Sequence, residues 1–171
     1  MKKNRLLQFK GLIELGLQPV SIDLKKYFGK KDELLHIIND LGGIWVTGGN
    51  AFVLRTAYKL SGLDEIIEDL TASQQDFVYS GFSAGCCVLQ KSFRGLEFVD
   101  DPADVKVSYG KDKEVIWNGL GLIDYVFVPH FESDHEESEV TNDEIKYYDE
   151  NNIVYKTLRD GEVIIDEINK I

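Results

Sequence analysis

Two short apolar runs constrain this 171-residue chain most, because each is cut off by glycine or serine and passes at once into helical periodicity. Ile44-Trp45-Val46-Thr47 lies between Gly43 and Gly48-Gly49, and Phe77 to Phe82 breaks at Ser83 before the segment AGCCVLQK. Apolar runs of this length bounded by turn residues suit strands buried on both sides in a parallel sheet. After the first run a helix is expected from Asn50 to Gly62, then a second with Leu63, Ile66, Ile67 and Leu70 on one face. Successive βα units predict an α/β fold, a three-layer sandwich on a mainly parallel sheet.

The remaining segments are read by the same rules. Leu6, Phe9, Ile13 and Leu17 have helical spacing with Gly16 near the end, Pro19 to Leu24 reads as a short strand, and Asp32 opens a helix with Leu34, Ile37, Ile38 and Leu41 facing inward. Phe93 to Gly121 is irregular, with a turn at Asp100-Asp101-Pro102 and a strand at Val105 to Ser108. Tyr125 to Val128 is another buried strand. The acidic stretch Phe131 to Asp149 reads mainly as a solvated face, its latter half a helix capped by Thr141 with Ile145 and Tyr148 inward. Ile153 to Leu158 and Val163 to Ile165 flank Arg159-Asp160-Gly161 as a hairpin.

Hydrophobic residues make up 43% of the chain with no low-complexity tract, so residues 1–171 are expected to fold as one domain. Nineteen Lys and Arg against 30 Asp and Glu leave a net charge of −11, which disfavours nucleic acid and anionic membranes as partners. Cys86 and Cys87 are adjacent, which suits a reduced cytosolic protein without a structural disulfide or zinc site. Lys10 and Glu14 interrupt the first apolar stretch, so no leader or membrane span is read there.

In a doubly wound sheet ligands bind beyond the carboxyl ends of the strands, which here carry Thr47 to Asn50, Ser83 and His130. Gly81-Phe82-Ser83-Ala84-Gly85 fits G-x-S-x-G, a sharp strand-to-helix corner that exposes a serine hydroxyl and aims the Ala84 amide at a developing oxyanion. A serine nucleophile needs a base. His36 lies on an early helix and His135 in the acidic loop, whereas His130 ends a buried strand at the same sheet edge as Ser83. Asp160, in a tight turn after a later strand, is the carboxylate chosen to hold its tautomer, with Asp134 and Asp101 as alternatives. The order Ser83, His130, Asp160 departs from that of α/β-hydrolases, where the acid precedes the histidine. Gly48-Gly49 ends a strand before a helix and is a second source of oxyanion-hole amides.

In order, IWVTGGNAFVLRTAYKLSGLDEII, YSGFSAGCCVL, GLGLIDYVFVPHFESDHEESE and YKTLRDGEVIIDE resemble the dipeptidase E (peptidase E, α-aspartyl dipeptidase) family of serine peptidases, from near Gly43 to Asp166. The resemblance implies a Ser–His–acid peptidase on a fold like that of class I glutamine amidotransferases, flavodoxin-like, working without cofactor or metal on small peptides such as dipeptides with N-terminal Asp. By motif, Ser83 is the nucleophile, His130 the base, Asp160 the acid, and Gly49 and Ala84 the oxyanion-hole positions. Related cyanophycinases usually read GGDQ where this chain has Gly48-Gly49-Asn50-Ala51, so the dipeptidase branch is closer. Family members begin with βα units that have no counterpart here. The expectation is therefore an N-terminally shortened sheet with an unpaired edge, open to homodimer formation, and a non-catalytic remnant as the alternative function. An N-terminal aspartate also wants a cation, for which Arg94 and Arg159 are the candidates.

Overall fold

Glycine and asparagine set the ends of the elements that carry the predicted site. In the computed structural model, which describes residues 2–73 and 76–167, helix α3 (Ala51–Ser61) starts at Asn50 and stops at Gly62. The Asn50 side chain accepts the Val53 N–H at 3.1 Å, and Gly62 takes φ 77°, a left-handed cap that costs glycine little. Helix α4 (Leu63–Ala72) follows with Leu63, Ile66, Ile67 and Leu70 buried, as their spacing predicts. Between the helices Arg55 and Asp64 form a largely buried ion pair at 3.0 Å.

Strand β1 (Gly43–Val46) pairs in parallel with β2 (Val78–Gly81), Val46 opposite Gly81. Strand β3 (Val126–Val128) pairs in parallel with β4 (Tyr155–Thr157), Val128 opposite Thr157. The fold is α/β with parallel pairing. Among the described residues no ladder joins the two pairs, so the expected sheet is present as two parallel ribbons. The segment after Ser83 bridges them: the Phe127 N–H donates to Gln90 Oε1 at 3.3 Å, and the Cys87 thiol points at the Phe127 carbonyl at 3.6 Å. The main core packs Phe52, Tyr58, Ile66, Val88, Phe93 and Phe127 together, while Val126, Val128 and Tyr148 form a second cluster at the β3–β4 ribbon. Phe52 meets Phe93 and Trp117 edge-on with centroids 5.3 and 5.2 Å apart, and each such buried ring stabilises by roughly 1.5–3 kcal/mol.

Several elements depart from expectation for definable reasons. Helix α1 (Lys2–Glu14) forms, but Leu6, Ile13 and the following Leu17 stay exposed because the helix stands off the core; Gln8 reaches β1 only to accept the Trp45 indole N–H at 3.3 Å. Trp45 is itself 43% exposed, so β1 is open on one face and not buried on both. Pro19 to Leu24 is not a strand. It has no ladder partner, and Asp23 caps a 3-10 turn over Leu24–Tyr27 by accepting the Lys25 N–H. Helix α2 (Lys31–Ile38) buries Leu34 and Ile38, with Asp32 in its first turn and His36 exposed.

Val105 to Ser108 is helical, inside α6 (Asp104–Tyr109), because Asp101 takes the Ala103 N–H and starts a turn. Val105 is buried and Val107 exposed, which fits a helix, where positions two apart face opposite sides, and not a strand, where they share a face. The acidic segment forms helix α7 (Thr141–Glu150), in which Thr141 is the first helical residue and not the cap, its hydroxyl donating to the Ser138 carbonyl. Glu144 is fully buried, so this helix is not simply a solvated face. Arg159-Asp160-Gly161 turns the chain but makes no hairpin: β4 runs parallel to β3, while Val163 and Ile165 are left exposed without a ladder.

Candidate active site

Both parallel ribbons carry predicted site residues two or three positions past the last paired residue. Beyond Val46 and Gly81 an offset of two brings Gly48 beside Ser83, and a Cβ on Gly48 would sit 3.1 Å from Ser83 Cβ and 3.4 Å from its Oγ. Ser83 has φ 48°, a strained value for an L residue, and precedes the short helix α5 (Ala84–Cys87). The flanking glycines are required by contact. A Cβ on Gly81 would stand 2.9 Å from the Val46 carbonyl oxygen, and one on Gly85 would collide with the same atom. The Ser83 carbonyl accepts the N–H groups of Cys86 and Cys87, which locks the corner.

Beyond Val128 and Thr157 one strand leads into His130 and the other into Arg159 and Asp160. The Phe131 N–H donates to the Leu158 carbonyl at 3.0 Å and ties the two strand ends together. His130 Nδ1 lies 2.7 Å from Asp160 Oδ1, and the Asp160 N–H donates to Ser133 Oγ at 2.8 Å. Of the three carboxylates considered, Asp160 is therefore the one at the ring; Asp101 instead accepts the Ala103 N–H ahead of α6, and Asp134 is exposed. His130 has φ 60°, a second strained corner.

The other face of His130 holds what sequence reasoning missed. Glu137 Oε2 stands 3.9 Å from His130 Nε2, and His135 stacks on the ring with centroids 3.7 Å apart and planes 7° from parallel. No hydrogen bond links Ser83 Oγ to His130 among the described residues. His130, His135 and Glu137 each offer a donor atom within 4.8 Å of the others. However, His135 Nδ1 already accepts the Glu137 N–H at 3.2 Å, and the lone pairs of stacked rings lie in separate planes, which does not suit a tetrahedral metal.

A small cavity opens at Ser83, lined by Ala84, Asp100, Pro129, Glu137 and Glu144 among others, where the centre of a water-sized group has about 10 Å³ to move in. Asp100 accepts the Ala51 N–H at 2.7 Å; burial pushes its pKa up to about 6, opposed by that hydrogen bond and reinforced by Glu137. Burial likewise pushes Glu144 up to about 7, although the Tyr148 hydroxyl donates to its Oε1 at 2.6 Å. The N–H groups of Gly49 and Ala84 donate to no other described residue, and the space over Gly49, at φ 141°, is open.

The model of peptidase family S51 matches residues 7–169. The chain belongs to that family. An uncharacterized peptidase of Listeria innocua is 28% identical over 123 residues, 71% of this chain and 54% of the relative, so the S51 chain spans about half the length of the curated relative it matches. The crystal structure of a Listeria monocytogenes EGD-e protein assigned as a peptidase E superposes with a TM-score of 0.67 at 21% identity, over 94% of this chain and 75% of the other, and supports the shared fold.

For an S51 chain read by motif, Glu144 was hidden by its acidic surroundings. A signal existed: it lies four residues before the inward Tyr148 and therefore on the same helix face. Glu137 and Asp100 carried no such signal. The two arginines considered for a substrate carboxylate are engaged, Arg94 over the Trp117 ring at 4.0 Å and Arg159 with Glu132.

Proposed function

We propose that this chain is a serine-type exopeptidase acting on small peptides. The observation that carries this reading is the 2.7 Å contact between His130 Nδ1 and Asp160, in a family of peptidases and at the strand end facing a strained serine corner. With Nδ1–H donating to Asp160, the lone pair is on Nε2, where a general base needs it. Ser83 Oγ attacks the scissile carbonyl, His130 takes its proton and returns it to the leaving amine, and water then releases the acyl group by the same route. The amides of Gly49 and Ala84 hold the oxyanion. The Oγ to Nε2 hydrogen bond, absent here, closes on substrate as such bonds commonly do. For the N-terminal aspartate of a dipeptide, the assigned cation is Arg159, beside Asp160 and shared with Glu132.

A fluorophosphonate probe tests this: it labels Ser83, and Ser83→Ala loses at least about 10⁴-fold in dipeptide hydrolysis with unchanged thermal stability. Activity retained in Ser83→Ala, or abolished by thiol reagents at Cys86 or Cys87, overturns it. A second reading, a folded but non-catalytic family member, is favoured by one observation, Glu137 standing opposite Nε2. A folded protein without labelling or hydrolysis establishes that reading instead.

A further inference from the structure

We infer that the cavity beside Ser83 receives a primary ammonium group of the substrate's first residue, held among Glu144, Asp100 and Glu137; this rests on the peptidase reading for its substrate but not for its binding chemistry. Glu144 is fully buried and lines the cavity; Oε1 accepts the Tyr148 hydroxyl, while Oε2 has no hydrogen-bond partner among the described residues. A buried acceptor left unpaired is costly and calls for a donor. Asp100 and Glu137 face the same space, and the three carboxylates repel one another. Among the described residues no lysine or arginine pairs with any of them.

Size and charge select the guest. Room for one water-sized centre admits an –NH3+ head, whose three N–H donors match three carboxylates, but not a planar guanidinium. A carboxylate is excluded by charge. An α-ammonium sits one carbon from the scissile carbonyl and a lysine ε-ammonium lies further along the side chain, so both sources present the same group to a cavity that borders the nucleophile.

Thermal unfolding of the full chain in ethylammonium chloride, with sodium and tetramethylammonium chlorides at equal concentration, reads the cavity without reference to activity. A saturable rise in Tm with ethylammonium alone is expected, and Glu144→Gln removes it. Should that variant not fold, Glu137→Gln, whose side chain is partly exposed, weakens the response at least tenfold. Equal responses to all three salts, or a response retained in the variant, overturn the inference.

Hydrolysis then separates the sources. If the α-ammonium is the guest, norleucyl-leucine exceeds its des-amino analogue hexanoyl-leucine at least tenfold in kcat/KM; if the ε-ammonium is, lysyl-leucine exceeds norleucyl-leucine by as much. The ratio falls towards one in Glu144→Gln, and ratios near one in both wild-type comparisons overturn the substrate assignment. If no peptide is cleaved and Ser83 is not labelled, the peptidase reading fails while the ethylammonium measurement still decides the cavity.

Discussion

Val46 opposite Gly81 and Val128 opposite Thr157 are equivalent positions in two parallel ribbons, yet two residues beyond each the chain builds a different kind of site. On the β1–β2 side the architecture depends on missing side chains. Gly81 and Gly85 press on the Val46 carbonyl, Gly48 lies against Ser83, and the N–H groups of Gly49 and Ala84 donate to no other described residue. On the β3–β4 side it depends on charge and ring contacts: Asp160, Glu137 and His135 surround one imidazole. Steric design at the Ser83 corner tolerates almost no added atom. The arrangement around His130 rests on charge and hydrogen bonding, not on tight backbone contact.

Four measurements sharpen or break this contrast. The largest effect is expected on the charged side, where Asp160→Asn lowers turnover on the order of 10⁴-fold by releasing the tautomer, with little change in Tm because Asp160 is exposed. A loss under tenfold in steady-state hydrolysis would remove Asp160 from the machinery. On the steric side, Gly85→Ala costs about 3 kcal/mol, a fall in Tm of roughly 6–12 °C, since its Cβ meets backbone that cannot swing aside. Gly161→Ala, with open space but φ 94°, costs only about 1–2 kcal/mol. Equal losses in the two variants by calorimetry would erase the distinction.

The third measurement is the pH dependence of stability. The native pKa of Glu144, about 7, lies above the ordinary carboxyl value, so between the two the folded state binds more protons than the unfolded one. Stability is therefore greatest below the ordinary carboxyl range and declines as pH rises through 7. Tyr148 opposes this shift by hydrogen bonding, and Asp100, Glu137 and Glu97 reinforce it. Urea unfolding at pH 5 and pH 8 checks it: Glu144→Gln removes part of the decline, on the order of 2–3 kcal/mol. The smallest effect concerns the thiols. Burial pushes Cys86 up to about 11 and Cys87 well above its ordinary value, so iodoacetamide at pH 7 reacts slowly with the native protein and leaves hydrolysis unchanged.

Local signals made one part of this molecule legible. The glycine-bounded run before Asn50, the corner at Ser83 and the strand ending at His130 are sequence-local features, because turn geometry and strand burial depend on adjacent residues. Asp160 could be named from its place after a strand, but its contact with His130 came from the register of Val128 with Thr157, which no local rule specifies. Where a short segment carries no decisive local pattern, the reading failed: the β-branched Val105 and Val107 sit in α6, and Arg159 to Gly161 turns without a returning partner.

By itself, then, the sequence determined the main βα succession and the glycine-flanked corner at Ser83, which follow from nearest-neighbour sterics and burial, and offered Ser83, His130 and Asp160 as candidates with Asp134 and Asp101 open for the acid. Tertiary structure alone decided that the sheet divides into two ribbons, that Glu137 faces Nε2, and that Asp100 and Glu144 meet beside Ser83. The physical reason is that desolvation and charge repulsion depend on which distant segments meet, and a carboxylate at an acidic helix surface is chemically the same residue until packing takes its water away.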